Sequence, residues 1–125
     1  MIIMFGFFSK KESDLLSDRD QRIQTTQTNQ LRHAETSLDQ AESSFSKIVD
    51  HAGAGELMAA KFEAEEAGFN GAAHQFEHML KFGTKSADET NNRIALAGAQ
   101  CRKQIDRKRD TVDHWHRSID QFKNR

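Results

Sequence analysis

The sequence has no proline and no tyrosine, and only one cysteine and one tryptophan among its 125 residues. Because proline is absent, no residue forces a helix to break in its interior. The single thiol, Cys101, excludes an intramolecular disulfide and a metal site built from several cysteines. No stretch approaches the roughly 18 apolar residues of a membrane-spanning helix. We therefore expect no transmembrane segment.

Apolar residues are scarce relative to charged ones, at 36% hydrophobic and 30% charged. In so short a chain, this composition predicts a thin, single-domain protein without a many-layered core. The abundant residues are helix formers such as Ala, Gln, Glu, Lys and Arg, and few runs favour strands. The predicted fold class is all-α: an elongated antiparallel helical hairpin or a three-helix arrangement with coiled-coil-like seams.

A heptad pattern runs through the first half of the chain. Its apolar residues are separated by alternating steps of three and four, which is typical of a seam that faces another helix: Leu31, Ala34, Leu38, Ala41, Phe45, Ile48 and Ala52. Upstream, the polar segment QRIQTTQTNQ predicts a more weakly packed end whose amides and hydroxyls face water. The alternative is that Gln24, Gln27 and Gln30 form a polar contact with a partner.

Two glycine-containing segments divide the chain into three predicted helices. The first, HAGAGE, predicts a C-terminal helix cap and a reversal of the chain. The second contains Gly83, followed by Ser86 and Glu89 at the spacing of a capping box. We predict helices over about 12–52, 56–82 and 86–123, in one domain of residues 12–125 that follows an apolar tail of residues 1–11.

Phe62, Phe69 and Phe76 recur every seven residues in the predicted middle helix. This spacing places three rings along one edge of a helix, where they would cover the inner face of the hairpin. Gly68 and Gly71 each cost about 1 kcal/mol of helix propensity relative to Ala, so we expect this helix to bend. The last helix continues the seam through Ile94, Gly98, Cys101, Ile105, Lys108, Val112, Trp115, Ile119 and Phe122.

Charge is unevenly distributed although the net charge is only −1. Residues 56–92 carry three Lys/Arg against seven Asp/Glu, whereas residues 93–125 carry nine against four. The basic end has few interleaved aromatic residues, so we expect no nucleic-acid binding. Its interleaved charges are typical of a solvated helix face, with docking of an acidic partner as the alternative.

The segment HQFEH matches the inverted zinc-peptidase motif, with His74 and His78 one helical turn apart and Glu77 beside them. A catalytic zinc also needs a third protein ligand and a cleft, and the sequence offers no clear candidate for either. Cys101 has no assigned base and fits a small residue at a seam position. We predict no enzyme activity, no catalytic residue, no metal and no cofactor.

The helix layout and the lone Trp115 resemble the small α-helical partner proteins encoded beside LXG toxins of the bacterial type VII secretion system. Those proteins are similar in shape to WXG-type helical hairpins. The resemblance spans about residues 12–123. It implies two long antiparallel helices that bind the helical N-terminal domain of a toxin and help present it for export. The turn HAGAGE lacks Trp-x-Gly and no C-terminal export signal is present, so the resemblance implies the accessory partner.

The functional hypothesis is a non-enzymatic helical adaptor, in its narrower form a targeting or export chaperone for such a toxin. The rival hypothesis is a self-associating coiled-coil structural protein, and a homo-oligomer therefore stays open. For Trp115 we weigh a core anchor against an exposed hot spot. The residues predicted to bind the partner are Leu31, Leu38, Phe45, Phe62, Phe69, Phe76, Ile94, Ile105 and Trp115.

The start of the sequence, MIIMFGFFSKK, places apolar residues before two lysines, which reverses the order of a secretory signal. We expect cytoplasmic localisation, and the resemblance implies export with a partner by a signal-peptide-independent route. For the apolar tail we expect a packed-down or irregular terminus, with docking on a membrane surface or a partner as the alternative.

Overall fold

Four α-helices form the part of the chain that the computed structural model describes, which is the backbone of residues 2–124 and the side chains of residues 17–124. They are α1 (Ile2–Gly53), α2 (Leu57–Glu66), α3 (Asn70–Phe82) and α4 (Ala87–Lys123). No strand occurs within these residues, and the predicted all-α class is confirmed.

The two long helices, α1 and α4, pack side by side and run antiparallel. Lys108 Nζ donates a hydrogen bond of 2.7 Å to Ser37 Oγ, and the guanidinium of Arg102 lies 5.9 Å from the centre of the Phe45 ring. Residue numbers therefore rise along α1 as they fall along α4. The short helices complete a ring, because α2 packs on α1 and α3 packs on both α2 and α4.

The turn between α2 and α3, residues 67–69, lies beside the middle of the long pair. Ala67 lines a groove with Ser37 and Ala41 of α1. Phe69 lines a second groove with Gln104 of α4. The turn therefore marks the level at which the short helices stop covering the long ones.

The molecule divides at this level into a head and a stalk. From the turn, α3 runs away from the end of α4, since Arg93 Nη1 donates to Gln75 Oε1 at 3.1 Å. The head comprises α2, α3 and the stretches of α1 and α4 that they cover, residues 37–53 and 87–108. The stalk comprises residues 17–36 of α1 and 109–124 of α4, which lie beyond the level of the turn.

The core lies almost entirely in the head and is rich in alanine. Small side chains let the helix axes approach closely, and a few larger groups fill the remaining space. At Gly71 there is no room for a side chain unless that of Gln100 shifts, because an added Cβ would lie 2.7 Å from the side-chain oxygen Oε1 of Gln100. The buried cluster consists of Ala41, Ile48, Ala52, Ala60, Ala64, Phe69, Ala72, Ala73, Phe76, Met79, Ala97, Cys101 and Ile105.

Two turns of the same type close α1 and α2. Gly55 and Gly68 adopt φ values of 79° and 78°. After each glycine, the next backbone N–H reaches back five residues to a helical carbonyl at 2.8 Å, the pattern of a Schellman cap. The sequence carries a matching repeat, A-G-x-x-x-A-A, at residues 54–60 and again at residues 67–73.

The predicted single middle helix over 56–82 is therefore wrong, because the cap at Gly68 separates α2 from α3. The predicted start of the first helix at residue 12 is also wrong, because α1 begins at Ile2. Residues 2–11 are thus part of α1 in the described backbone and do not form a separate tail. The side chains of residues 1–16, and with them any docking of the predicted tail, lie outside the described residues.

The interruption predicted before the last helix is present. Ser86 is the N-cap of α4, and its hydroxyl accepts a 3.1 Å hydrogen bond from the Glu89 N–H. The Glu89 carboxylate accepts the N–H of Lys85 at 2.7 Å, one residue earlier than in a standard capping box. This backbone hydrogen bond holds the pKa of the Glu89 carboxyl below its usual value.

We expect Gly68→Ala to lower the free energy of unfolding by about 1 to 2 kcal/mol, because an L-residue is strained at positive φ. Gly53→Ala is the matched control: Gly53 is helical and an added Cβ meets nothing within 4 Å, so we expect no loss of stability. Urea denaturation monitored by circular dichroism measures both. Equal stability of the two variants would contradict the assigned turn.

Candidate functional site

The nine residues predicted to bind a partner fall into different environments. Phe69, Phe76 and Ile105 are buried in the head core, at 1%, 1% and 4% exposure. In this fold they pack within the chain and are not accessible to a partner, so they leave the predicted surface. Of the remaining six, Leu38, Phe45 and Ile94 are partly buried against the core, Leu31 and Trp115 are half-buried in the stalk, and Phe62 is exposed.

The phenylalanine stripe does not exist as one edge of one helix. The cap at Gly68 reverses the chain between Phe62 and Phe69, so the spacing of seven no longer returns these rings to the same side. Phe69 and Phe76 point into the head, whereas Phe62 is 53% exposed on α2. The first ring is therefore separated from the other two.

The HQFEH segment lies on α3 and forms no metal centre with other residues. The Glu77 carboxylate lies 2.9 Å from Lys81 Nζ. Hydrogen bonding and charge from Lys81 lower the pKa of Glu77. His78 packs against Phe82, with ring centroids 4.9 Å apart. Within the described residues, no group of three or more His, Cys, Asp or Glu side chains is arranged to hold a metal ion.

One groove is lined only by residues of α1 and α4, and we call the side of the pair on which it lies the outer side. It encloses about 460 Å³ and is floored by Phe45, Val49 and Ile105. Charged side chains line the same groove, and among them Arg109 forms a 3.6 Å ion pair with Glu42.

We call the side of the α1 and α4 pair on which α2 and α3 pack the inner side. On that side, α2 and α3 cover the apolar seam in the head and end at the boundary with the stalk. Positions seven residues apart share one side of α1. Along such a column, Ile48 and Ala41 are buried under α2, whereas Ala34 and Gln27 in the stalk are only half-buried. On α4, Cys101 is fully buried in the head, and Trp115, two heptads further on, is half-buried. Val112, between them on the seam, is still buried. The exposure of the seam therefore rises in the stalk at Ala34, Gln27 and Trp115, and not at every position.

Gln27 has an unmet hydrogen-bonding requirement on this seam. Its Oε1 atom is inaccessible to solvent and has no hydrogen-bond partner among residues 17–124, whose side chains the structure describes. A buried amide oxygen without a donor costs free energy unless a neighbour supplies one. Of the three glutamines predicted as a polar contact, Gln24 and Gln30 are exposed and Gln27 alone lies on the seam.

We call the inner side of the stalk, at the level beyond the turn of residues 67–69, the open face. It presents Ala34 and Gln27 from α1 and Trp115 from α4. The sequence pattern identified Gln27 and Trp115 as candidates, but not that they share one uncovered face. The A-G-x-x-x-A-A repeat could have indicated this face. Its second copy marks a turn that divides the predicted helix of residues 56–82 into two shorter helices, and these cover about half the length that one helix would cover.

No protein-family model matches the chain, and no curated protein or solved structure is significantly similar to it. In the described part of the chain, no helix combines the length and apolarity that a membrane crossing requires.

We expect Phe76→Ala to destabilise the fold by about 3 to 5 kcal/mol, because it empties a fully buried ring site. Phe62→Ala removes an exposed ring and should cost less than about 1 kcal/mol. Chemical denaturation of the two variants tests the division of the stripe. Similar losses for both would show that Phe62 packs in the core.

Cys101 should react slowly with thiol reagents in the native protein. Burial raises the pKa of its thiol to about 11, and the side chain is inaccessible to solvent. Ellman's reagent at about pH 8 should therefore modify the native chain far more slowly than the urea-unfolded chain, because little thiolate is present or accessible. Equal rates in the two states would place Cys101 outside the core.

Proposed function

We propose that the protein is a non-enzymatic helical adaptor that binds a helical segment of another protein on the open face of the stalk. The supporting observation is the change in coverage along one seam. Its head half is buried by α2 and α3, whereas in the stalk Ala34, Gln27 and Trp115 are only half-buried, although Val112 is buried between the long helices. A partner helix laid along the open face would extend the helix packing of the head.

Apolar burial would supply the binding free energy at about 25 cal/mol per Å² of surface removed from water. Trp115 is the largest side chain at the open face, and tryptophan often dominates such interfaces. Binding of this kind requires an amphipathic helix on the partner and no catalytic group on either protein.

The narrower proposal is that the partner is the helical N-terminal domain of an LXG toxin and that binding prepares it for type VII export. It depends on the family resemblance of the helix layout and the lone tryptophan. A toxin domain encoded beside this chain is the appropriate first partner to test. The wider proposal concerns any helical partner that occupies the same face.

Trp115→Ala should weaken binding of such a domain by about 2 to 4 kcal/mol, as expected for a central aromatic anchor. Met58→Ala is the control, since Met58 is an exposed apolar residue on α2, away from the open face. Isothermal titration calorimetry measures the affinities, and circular dichroism checks that both variants fold. Binding that is unaffected by Trp115→Ala would exclude the open face.

Light scattering on the purified chain tests the rival hypothesis of self-association. An adaptor with an unfilled face should be monomeric in the absence of its partner. A stable oligomer in which Trp115 is shielded from solvent would favour the structural coiled-coil protein instead.

A further inference from the structure

Helical flanks on both sides of the open face lack acidic residues. In the head, the α1 positions that face α2 include Ser37, Gln40 and Ser44. The same helical side continues into the stalk at steps of three and four. We call this series the α1 flank: Ser44, Gln40, Ser37, His33, Gln30, Thr26, Arg22 and Arg19.

The corresponding side of α4 has the same character. In the head, Gln100, Lys103 and Arg107 line the groove beside α3. Continuing at helical spacing gives the α4 flank: Gln100, Lys103, Arg107, Thr111, His114, Ser118 and Gln121. Neither flank contains a carboxylate. The acidic residues of the stalk occupy other helical positions: Asp18, Asp20, Glu35, Asp110, Asp113 and Asp120.

The head shows what kind of helix covers this surface. Over the α1 flank lies α2, whose Glu63 and Glu66 line a polar groove of about 450 Å³ with Lys47 and Lys108. In addition, α2 has three glutamates and one lysine among its ten residues. An acidic helix thus covers the head half of the same flank.

We propose that the open face selects an acidic amphipathic helix of another protein. This inference depends on the proposed function and adds the charge of the partner. The apolar side of that helix would pack on Trp115 and Ala34, and its carboxylates would lie opposite Arg19 and Arg22, with Arg107 at the boundary with the head. Complementary charge of this kind selects and orients partners.

A second copy of the chain does not fit the same requirement. Two open faces brought together would place the arginines of both copies at one interface. No carboxylate of either flank would then be available to pair with them. Like charges at an interface disfavour association, so the charge pattern selects against self-pairing through this face.

Trp115 provides a direct readout, because the chain has no other tryptophan and no tyrosine. The probes are two synthetic amphipathic helical peptides of about 21 residues, three heptads, with identical Leu and Ala seams and no Trp or Tyr. One carries Glu at the flanking positions and the other carries Lys. The Glu peptide should shift Trp115 emission to the blue in a saturable manner, and the Lys peptide should leave it unchanged.

Salt and charge reversal test the electrostatic part of the inference. Raising NaCl from about 0.05 M to about 0.5 M should weaken binding of the Glu peptide about tenfold, because screening reduces attraction between exposed charges. Arg22→Glu, on the α1 flank, should weaken it by about fivefold or more. Arg32→Glu is the matched control, since Arg32 is exposed on the same helix outside the flank and should have no effect.

Any of the following peptide-binding results would overturn the inference: equal binding of the two peptides, no Trp115 response to the Glu peptide, or equal effects of Arg22→Glu and Arg32→Glu. A dimer that shields Trp115 in light scattering and fluorescence would also overturn it. The proposed function is judged separately. If a helical protein partner binds in a manner that depends on Trp115, the adaptor stands even when charge selection fails.

Discussion

An antiparallel pair of helices leaves part of its seam exposed to solvent unless a further layer lies across it, and here that layer is too short. The long helices α1 and α4 contain 52 and 37 residues, whereas α2 and α3 contain 10 and 13. At 1.5 Å per residue, the short helices cover only a fraction of the long pair. The division into head and stalk, and the open face itself, follow from this difference in length.

The difference in length in turn depends on one backbone conformation. Gly68 adopts a positive φ and closes α2 with a Schellman cap. If the chain continued as a helix through this position, residues 57–82 would form one rod that could lie along the stalk. The reversal instead turns Phe69 and Phe76 into the head, where they fill the space between many small alanine side chains. The same turn that completes the core leaves the stalk uncovered.

Charge and packing divide the surface of the long helices in a consistent way. In the outer groove, the ion pair of Arg109 and Glu42 lies among the apolar residues Phe45, Val49 and Ile105. The inner flanks carry cations and neutral polar groups without carboxylates, and the acidic α2 covers their head half. Each exposed pair contributes little to stability. The positions of these charges therefore affect the choice of neighbouring helix on each side of the α1 and α4 pair more than they affect stability.

Much of the fold was predictable from the sequence, because heptad spacing and capping residues act locally. The seams of α1 and α4, the turn near Gly55 and the cap at Ser86 all depend on residues within a few positions of each other. By contrast, the spacing of seven residues between Phe62, Phe69 and Phe76 suggested one continuous helix. The low helix propensity of Gly68 predicted a bend there, but not that the chain reverses direction. Only the tertiary structure decided that Phe69 and Phe76 are internal, that Phe62 is exposed and that Trp115 lies beyond the cover of α2 and α3. Periodicity determines which side of a helix is apolar, but which neighbour covers that side depends on contacts between residues far apart in the chain.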